Sequence, residues 1–305
     1  MSFSFNQPKQ VPIVEIPVDK EIKLFIKRED LIHSEISGNK FWKLLYDTNH
    51  YLSRNPPNPR IITFGGAYSN HLAATAALGK ELRIETLGIV RGEELAEKWP
   101  DNPTLSRAHQ NGMRLRFVGR SEYRDKETLA DKLQNEFPGS LIIPEGGTNA
   151  LAVEGIKFML SEATQEFDYL CSAVGTGGTL AGISKFAADE QKVLGFQAVR
   201  DHSLEERIIK FSQRKNFQLF DAADRGYGKF SDDSIRFIND FFSRFKIPLD
   251  PIYTGKMFRK IFELIDNGFF AKNSRILAFH TGGLQAIKGA NEKLKKEGRE
   301  VIRFS

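Results

Sequence analysis

Tyr169-Leu170-Cys171-Ser172-Ala173-Val174 runs directly into Gly175-Thr176-Gly177-Gly178-Thr179. The first six residues form an apolar run of strand length, too short for a helix of its own. The glycine-rich turn then leads into an amphipathic stretch over 178–187. Strand, glycine turn and helix in that order predict one unit of a parallel sheet covered by helices. The same turn is a candidate anion site. Glycines let the main chain approach a ligand closely, and the following helix presents free N–H groups and its positive dipole end. Thr176 and Thr179 add hydroxyls. A P-loop would end in Gly-Lys-Ser/Thr, and none is here. A dinucleotide fingerprint would place glycine sixth from Gly175, where Leu180 stands. A phosphate monoester therefore fits the turn better than a nucleotide does. The plain alternative is a strand-to-helix turn with no ligand.

Outward from this unit the pattern repeats. Candidate strands lie at 22–26, 61–64, 84–90, 115–118, 141–143, 169–174, 193–199, 217–220 and 276–279. Candidate helices lie at 40–52, 70–78, 102–111, 126–137, 151–163, 178–187, 204–214, 232–245, 256–267 and 284–296. The alternation predicts an α/β fold. Two more glycine turns follow candidate strands, Gly65-Gly66-Ala67-Tyr68-Ser69-Asn70-His71 and Thr281-Gly282-Gly283. Ligands of open α/β sheets bind beyond the carboxyl ends of strands, so several such turns suggest one composite site.

The chain has 305 residues, 40% hydrophobic and 27% charged, with 25 phenylalanines; this supports a packed interior rather than disorder. The net charge of +5 is the small difference between 44 basic and 39 acidic residues. In the basic segment Lys288–Arg303, Glu292, Glu297 and Glu300 interrupt the cations. That pattern reads as a solvated helix face, not a nucleic-acid surface. The one cysteine, Cys171, sits inside an apolar run and reads as a buried structural thiol in a reducing compartment. No secretory signal and no membrane-spanning run is visible, and a cytoplasmic location is expected.

Other segments carry chemistry less openly. Lys40, in Ser37-Gly38-Asn39-Lys40, starts a candidate helix. A lysine is most often a solvated charge, but at a helix N-terminus the dipole favours the neutral amine that Schiff-base chemistry requires. Ser69-Asn70-His71 offers a hydroxyl, an amide and an imidazole, or merely an N-cap with a packed histidine. No histidine or cysteine partner has zinc-like spacing, so no metal is expected. In Tyr253-Thr254-Gly255-Lys256 the composition alone favours a core aromatic and a cap.

Taken together, these segments resemble a family. Arg28-Glu29-Asp30-Leu31 with Ser37–Lys40 resembles the lysine segment of the fold-type II pyridoxal-5′-phosphate (PLP) enzymes. Within these it resembles the 1-aminocyclopropane-1-carboxylate (ACC) deaminase and D-cysteine desulfhydrase family. Ser69–His71, Pro144-Glu145-Gly146-Gly147, Gly175–Thr179, Tyr253–Lys256 and His280-Thr281-Gly282-Gly283 follow in the family's order. The resemblance implies two open, twisted, mainly parallel sheets with flanking helices, a tryptophan synthase β-like fold. A small domain, 46–150, would be inserted into a large PLP-binding domain, 1–45 and 151–305. Homodimers are usual. Lys40 would carry PLP as a Schiff base, Asn70 would touch its phenolic oxygen, and Gly175, Thr176, Gly177, Gly178 and Thr179 would hold its phosphate. Tyr253 and Thr254 would lie by the ring. Ser69, Asn70, His71, Tyr227 and Tyr253 would face the substrate, with Ser69 and Tyr253 joining Lys40 in catalysis.

The implied reaction is a lyase or deaminase reaction on a small amino acid. ACC deaminases carry glutamate where Thr254 stands and tend to carry glutamine where His71 stands. Both departures resemble the D-cysteine desulfhydrases, so β-elimination of D-cysteine to pyruvate, sulfide and ammonia ranks first. ACC deamination to 2-oxobutyrate and ammonia, or another D-amino-acid lyase or racemase, is the alternative. Tyr68 (usually glutamine) and Ala73 (usually arginine) depart from both branches on the substrate side. A non-catalytic small-anion binder is the alternative of another class, and Lys40 argues against it.

Overall fold

The computed structural model describes residues 10–226 and 228–304. Among these residues the strands are β1 (Ile13–Ile16), β2 (Lys23–Lys27), β3 (Arg60–Gly65), β4 (Glu85–Arg91), β5 (Arg114–Val118), β6 (Leu141–Ile143), β7 (Tyr169–Val174), β8 (Lys192–Gln197), β9 (Phe217–Asp221) and β10 (Arg275–Phe279). They sort into two sheets. One has the order β1-β2-β10-β7-β8-β9, the other β5-β4-β3-β6. Every pairing is parallel except β1 with β2, where Ile13 opposes Lys27. The second sheet uses only strands between residues 60 and 143, and the strands of the first flank that stretch. The expected α/β fold with two mainly parallel sheets is therefore present.

The helices are α1 (Asn39–Leu52), α2 (Asn70–Leu82), α3 (Pro103–Gln110), α4 (Arg120–Arg124), α5 (Lys126–Glu136), α6 (Ala150–Gly155), α7 (Gly178–Phe186), α8 (Leu204–Ser212), α9 (Asp232–Phe245), α10 (Thr254–Asp266) and α11 (Ala286–Lys296). Local chemistry starts several of them. Asn102 accepts from the N–H groups of Thr104 and Leu105, with Pro103 at the first helical position. Ser231 caps α9 through Ser234 N–H. All six residues of β7 are buried, as a strand covered on both faces requires. Cys171 lies among them, and burial pushes its thiol up, out of reactive range. The phenylalanines pack mainly against one another, as Phe241 does with Phe258 (5.2 Å between ring centroids) and Phe237 with Phe262 (5.8 Å).

Several elements differ from the sequence expectation; α4 is additional, and α2 runs on to Leu82 rather than ending at 78. The helix expected over 151–163 stops at Gly155. There, a β-carbon would lie 2.5 Å from the Trp42 carbonyl oxygen, so the chain is pressed onto α1. The next turn tightens to a 3-10 helix, and the Lys27 ammonium takes the Met159 carbonyl at 2.6 Å. β1 escaped notice because it is a four-residue edge strand between Pro12 and Pro17. α10 begins at Thr254, two residues earlier than expected.

Candidate functional site

Turns from the carboxyl ends of β3, β7 and β10 meet around the start of α1. Lys40 is the second residue of α1. The helix is preceded by Gly38 at φ 67°, where a β-carbon would lie 1.9 Å from the Thr281 carbonyl oxygen. Only glycine fits there, so the lysine segment is locked onto the turn after β10. The next residue of that turn presses on the same segment, since a β-carbon on Gly282 would meet Ser37 Oγ at 2.3 Å. Asn39 Nδ2 donates to Thr179 Oγ1 at 2.6 Å, which ties the lysine segment to the glycine turn after β7. The Lys40 amine approaches Asn39 Oδ1 at 3.5 Å, and desolvation by burial draws its pKa from the ordinary lysine value to about 8.

The turn Gly175–Thr179 opens α7, with Gly177 at φ 91° before the first helical residue. A β-carbon on Gly178 would lie 2.7 Å from Thr148 Oγ1 and 2.9 Å from Lys43 Nζ. Lys43 is 1% exposed, and its ammonium reaches Gly146 O at 3.3 Å and Thr148 Oγ1 at 3.4 Å. Burial, then the nearby Lys40, lower its pKa well below the usual range, while Asp47 opposes them. Thr148 Oγ1 also meets Thr176 Oγ1 at 2.6 Å. The cradle thus combines a helix N-terminus, hydroxyls and a buried lysine amine. The sequence reading missed Lys43 because its partners lie more than 100 residues away, at separations of 103 and 105.

Ser69 caps α2 by accepting from Leu72 N–H at 3.2 Å. Asn70 Oδ1 is buried without a hydrogen-bond partner among the described residues, and its Nδ2 lies 2.8 Å from where a β-carbon on Gly283 would stand. His71 is buried. Thr63 Oγ1 donates its proton to Ile143 O at 2.9 Å, so at 2.8 Å it accepts the Nε2–H of His71. This assigns the tautomer and leaves Nδ1 as an acceptor, buried with no partner among the described residues. Burial first, then Lys40 and Lys43, hold His71 neutral by depressing its pKa well below the ordinary value. Tyr68 is 44% exposed and its ring lies against Gly289 of α11. Ala73 lines an open groove of about 640 Å³ with Pro103, Leu284 and Lys288, a groove that neither Lys40 nor the cradle lines.

The Tyr253 ring sits over Gly175, 3.0 Å from a β-carbon there. Thr254 is fully buried, and Asp250 engages its hydroxyl twice: Asp250 N–H donates to Thr254 Oγ1 at 2.9 Å, and Thr254 Oγ1 donates to Asp250 Oδ2 at 2.6 Å. The same carboxylate accepts the N–H groups of Ile252, Tyr253 and Thr254. The sequence reading missed Asp250, although an aspartate just before a helix is a visible capping signal. His280 donates Nε2–H to Pro248 O at 2.6 Å, and its Nδ1 lies 3.5 Å from Asp30, which Arg28 grips at 2.8 and 2.7 Å. Tyr227 lies outside the described residues. Among the described residues no acidic, histidine or cysteine cluster could hold a metal, and no helix is long and apolar enough to cross a membrane.

A buried amine, a glycine cradle backed by a second buried amine, and orphaned acceptors at Asn70 and His71 fit a small ligand with an aldehyde and an anionic group. The chain belongs to the pyridoxal-phosphate-dependent enzymes, whose family profile matches residues 6–282. Its cofactor is PLP. A Pyrococcus horikoshii relative that bears the provisional name of a 1-aminocyclopropane-1-carboxylate deaminase is 29% identical, over 94% of this chain and 93% of the relative. The bifunctional D-cysteine desulfhydrase/1-aminocyclopropane-1-carboxylate deaminase of Arabidopsis thaliana, mitochondrial, is 28% identical over 87% of this chain and 73% of its own length. The crystal structure of an ACC deaminase homologue superimposes with a TM-score of 0.79 and 27% identity, covering 95% of this chain and 94% of the other. The expected placement beside the ACC deaminases and D-cysteine desulfhydrases holds.

Proposed function

We propose that this enzyme is a PLP-dependent lyase that eliminates thiolate from D-cysteine, giving pyruvate, sulfide and ammonia. The observation that carries the reading is the Lys40 amine, desolvated to a pKa of about 8 and tied through Asn39 to the Gly175–Thr179 cradle. PLP, when bound, supplies an electrophilic aldehyde and a ring that accepts the electron pair left by a departing α proton. Lys40 would hold that aldehyde carbon and, once an incoming amino acid has displaced it, remove the α proton as a base with a pKa near neutrality. Gly175, Thr176, Gly177, Gly178 and Thr179 would hold the phosphate, helped by the Lys43 amine, which makes long contacts to Gly146 O and Thr148 Oγ1. Asn70 would face the phenolic oxygen. Ser69 would orient the substrate carboxylate, and Tyr253 and His71 would border the amino acid, His71 offering its bare Nδ1 to a donor. The same role is proposed for Tyr227.

The ranking of substrates rests on Thr254. At this position stands a neutral hydroxyl already occupied by Asp250, not a free acid. A neutral group there supports the ring as electron sink less strongly, which suits a substrate with an α proton and a good β leaving group better than opening the ACC ring. The names of the relatives keep ACC deamination as the second reading. The test is incubation of the holoenzyme with D-cysteine, L-cysteine and ACC, following sulfide, pyruvate and 2-oxobutyrate. Sulfide and pyruvate from D-cysteine are expected; 2-oxobutyrate from ACC without sulfide from D-cysteine reverses the ranking.

The proposal includes a small domain of 46–150 inserted into a large one, consistent with the second sheet lying wholly within 60–143. It also includes a cytoplasmic homodimer. Exposed Leu31 (57%) and Phe158 (54%), the latter stacked on Trp42, are suited to an interface. Light scattering at known concentration checks the dimer, and cell fractionation the location.

A further inference from the structure

Lys256 lies in the first turn of α10, three residues beyond Tyr253, and is 3% exposed. Its ammonium is ringed by main-chain carbonyls: Ala223 O and Gly226 O at 2.8 Å, and Ala198 O at 3.4 Å. These oxygens come from the segments leaving the carboxyl ends of β9 and β8. The cage has its own architecture. Gly226 N–H donates to Ala223 O at 2.8 Å and closes the turn. Asp224 holds a φ of 53° and Gly226 one of 105°. The Asp224 carboxylate is fixed by Ser231 N–H at 2.7 Å and Ser234 Oγ at 3.0 Å. The carbonyls therefore converge because the turn is built that way, with the lysine as their occupant.

An ammonium has three N–H donors and accepts nothing, which matches three carbonyl oxygens. Converging main-chain carbonyls are also the ligand set that replaces the water around a monovalent cation. Burial draws the amine's pKa down, and the charges of Asp224, Asp250 and Asp221 oppose that loss.

We propose that Lys256 is a tethered monovalent cation: its ammonium fills a carbonyl cage that would otherwise take free potassium or ammonium. By filling it, Lys256 fixes the 223–226 turn and the end of β8 against the N-terminus of α10. It is a positioning residue and acts through that helix start, where Tyr253 stands over Gly175 and Asp250 grips Thr254. Its effect on turnover rests on the functional reading above, whereas its occupancy of the cage does not.

The experiment compares holoenzyme as wild type, Lys256→Ala and Lys256→Met in potassium, ammonium, sodium or choline chloride at equal ionic strength. Thermal melting and turnover are both read. Wild type is expected to be indifferent to the cation. Lys256→Ala in choline should melt lower and lose about tenfold in kcat/KM, the scale of a lost charge-assisted hydrogen bond. Potassium or ammonium should restore both, saturably. Lys256→Met, whose side chain fills the cage without charge, should lose as much and recover nothing. An alanine variant equal to wild type in choline, one that no cation restores, or one that folds in none of the four salts overturns the proposal. If wild type turns over none of the substrates, the melting arm still decides the cage, so the two readings fail separately.

Discussion

The cradle at Gly175–Thr179 and the segment 68–71, which we propose as two walls of one site, are built differently. The cradle is mostly main chain edged by threonine hydroxyls. Its shape follows from glycines, from Asn39 bonding Thr179, and from a Lys43 amine that reaches it from α1. The other wall is made of side chains whose valences are open: Asn70 Oδ1 and His71 Nδ1 have no partner among the described residues, and the Tyr68 ring is 44% exposed. A wall of backbone leaves little room for variation, while a wall of open valences can change its ligand with one substitution. In the proposed assignment the first wall holds the cofactor's phosphate, and the second meets its phenolic oxygen through Asn70 and borders the substrate.

Experiments can break that division. The largest effect is expected for Lys40→Ala. The purified protein should lose its visible absorbance and its sensitivity to borohydride, and turnover should fall by roughly 10²–10⁴-fold, the range for removing a general base. Gly178→Val should follow. Its side chain would occupy the place where Thr148 and Lys43 approach to within 3 Å, and PLP affinity should fall roughly 10–100-fold in equilibrium dialysis, the scale of a lost hydrogen bond to a charged group. Affinity unchanged in this variant would move the phosphate elsewhere.

The pH dependence of PLP uptake by apoprotein is a finer test. Only the neutral amine attacks an aldehyde, and the Lys40 amine loses its proton at about 8. Uptake should therefore rise as pH climbs to about 8 and then level, rather than continue to the ordinary lysine range. Apoprotein stability should carry the same signature. Because the folded amine binds its proton less tightly than the unfolded one, this group's destabilisation is complete below pH 8 and is relieved as pH rises from there toward 10.5. The smallest effect belongs to the other wall. Tyr68→Gln should leave the cofactor spectrum alone and shift the ratio of kcat/KM between D-cysteine and ACC by about 3–10-fold. A changed spectrum would show that the two walls are not separable.

Much of the cradle was legible before folding was considered, because its requirements are local. A glycine at positive φ, a hydroxyl beside it and a helix beginning within a few residues are all neighbours in sequence. Lys43 was not legible, since nothing near it distinguishes it from other lysines of α1; its meaning comes from Gly146 and Thr148. The helix expected over 151–163 failed for the same reason: apolar spacing cannot register that Gly155 is pressed onto Trp42 and Tyr46. The residues alone read Thr254 as a cap and the resemblance put it by the ring; neither registered that Asp250, four residues earlier, engages its hydroxyl from both sides.

By itself the sequence determined the α/β alternation, the glycine turns, the start of a helix at Lys40 and the order of motifs that marks the family. Each depends on backbone preference within a few residues. Only the tertiary structure decided which turns meet, that a second lysine backs the cradle, that His71 carries its proton on Nε2, and that Lys256 sits in a ring of carbonyls. Those depend on chain segments far apart in sequence, and the free energy of burying a charge or fixing a tautomer is set by what surrounds it in space.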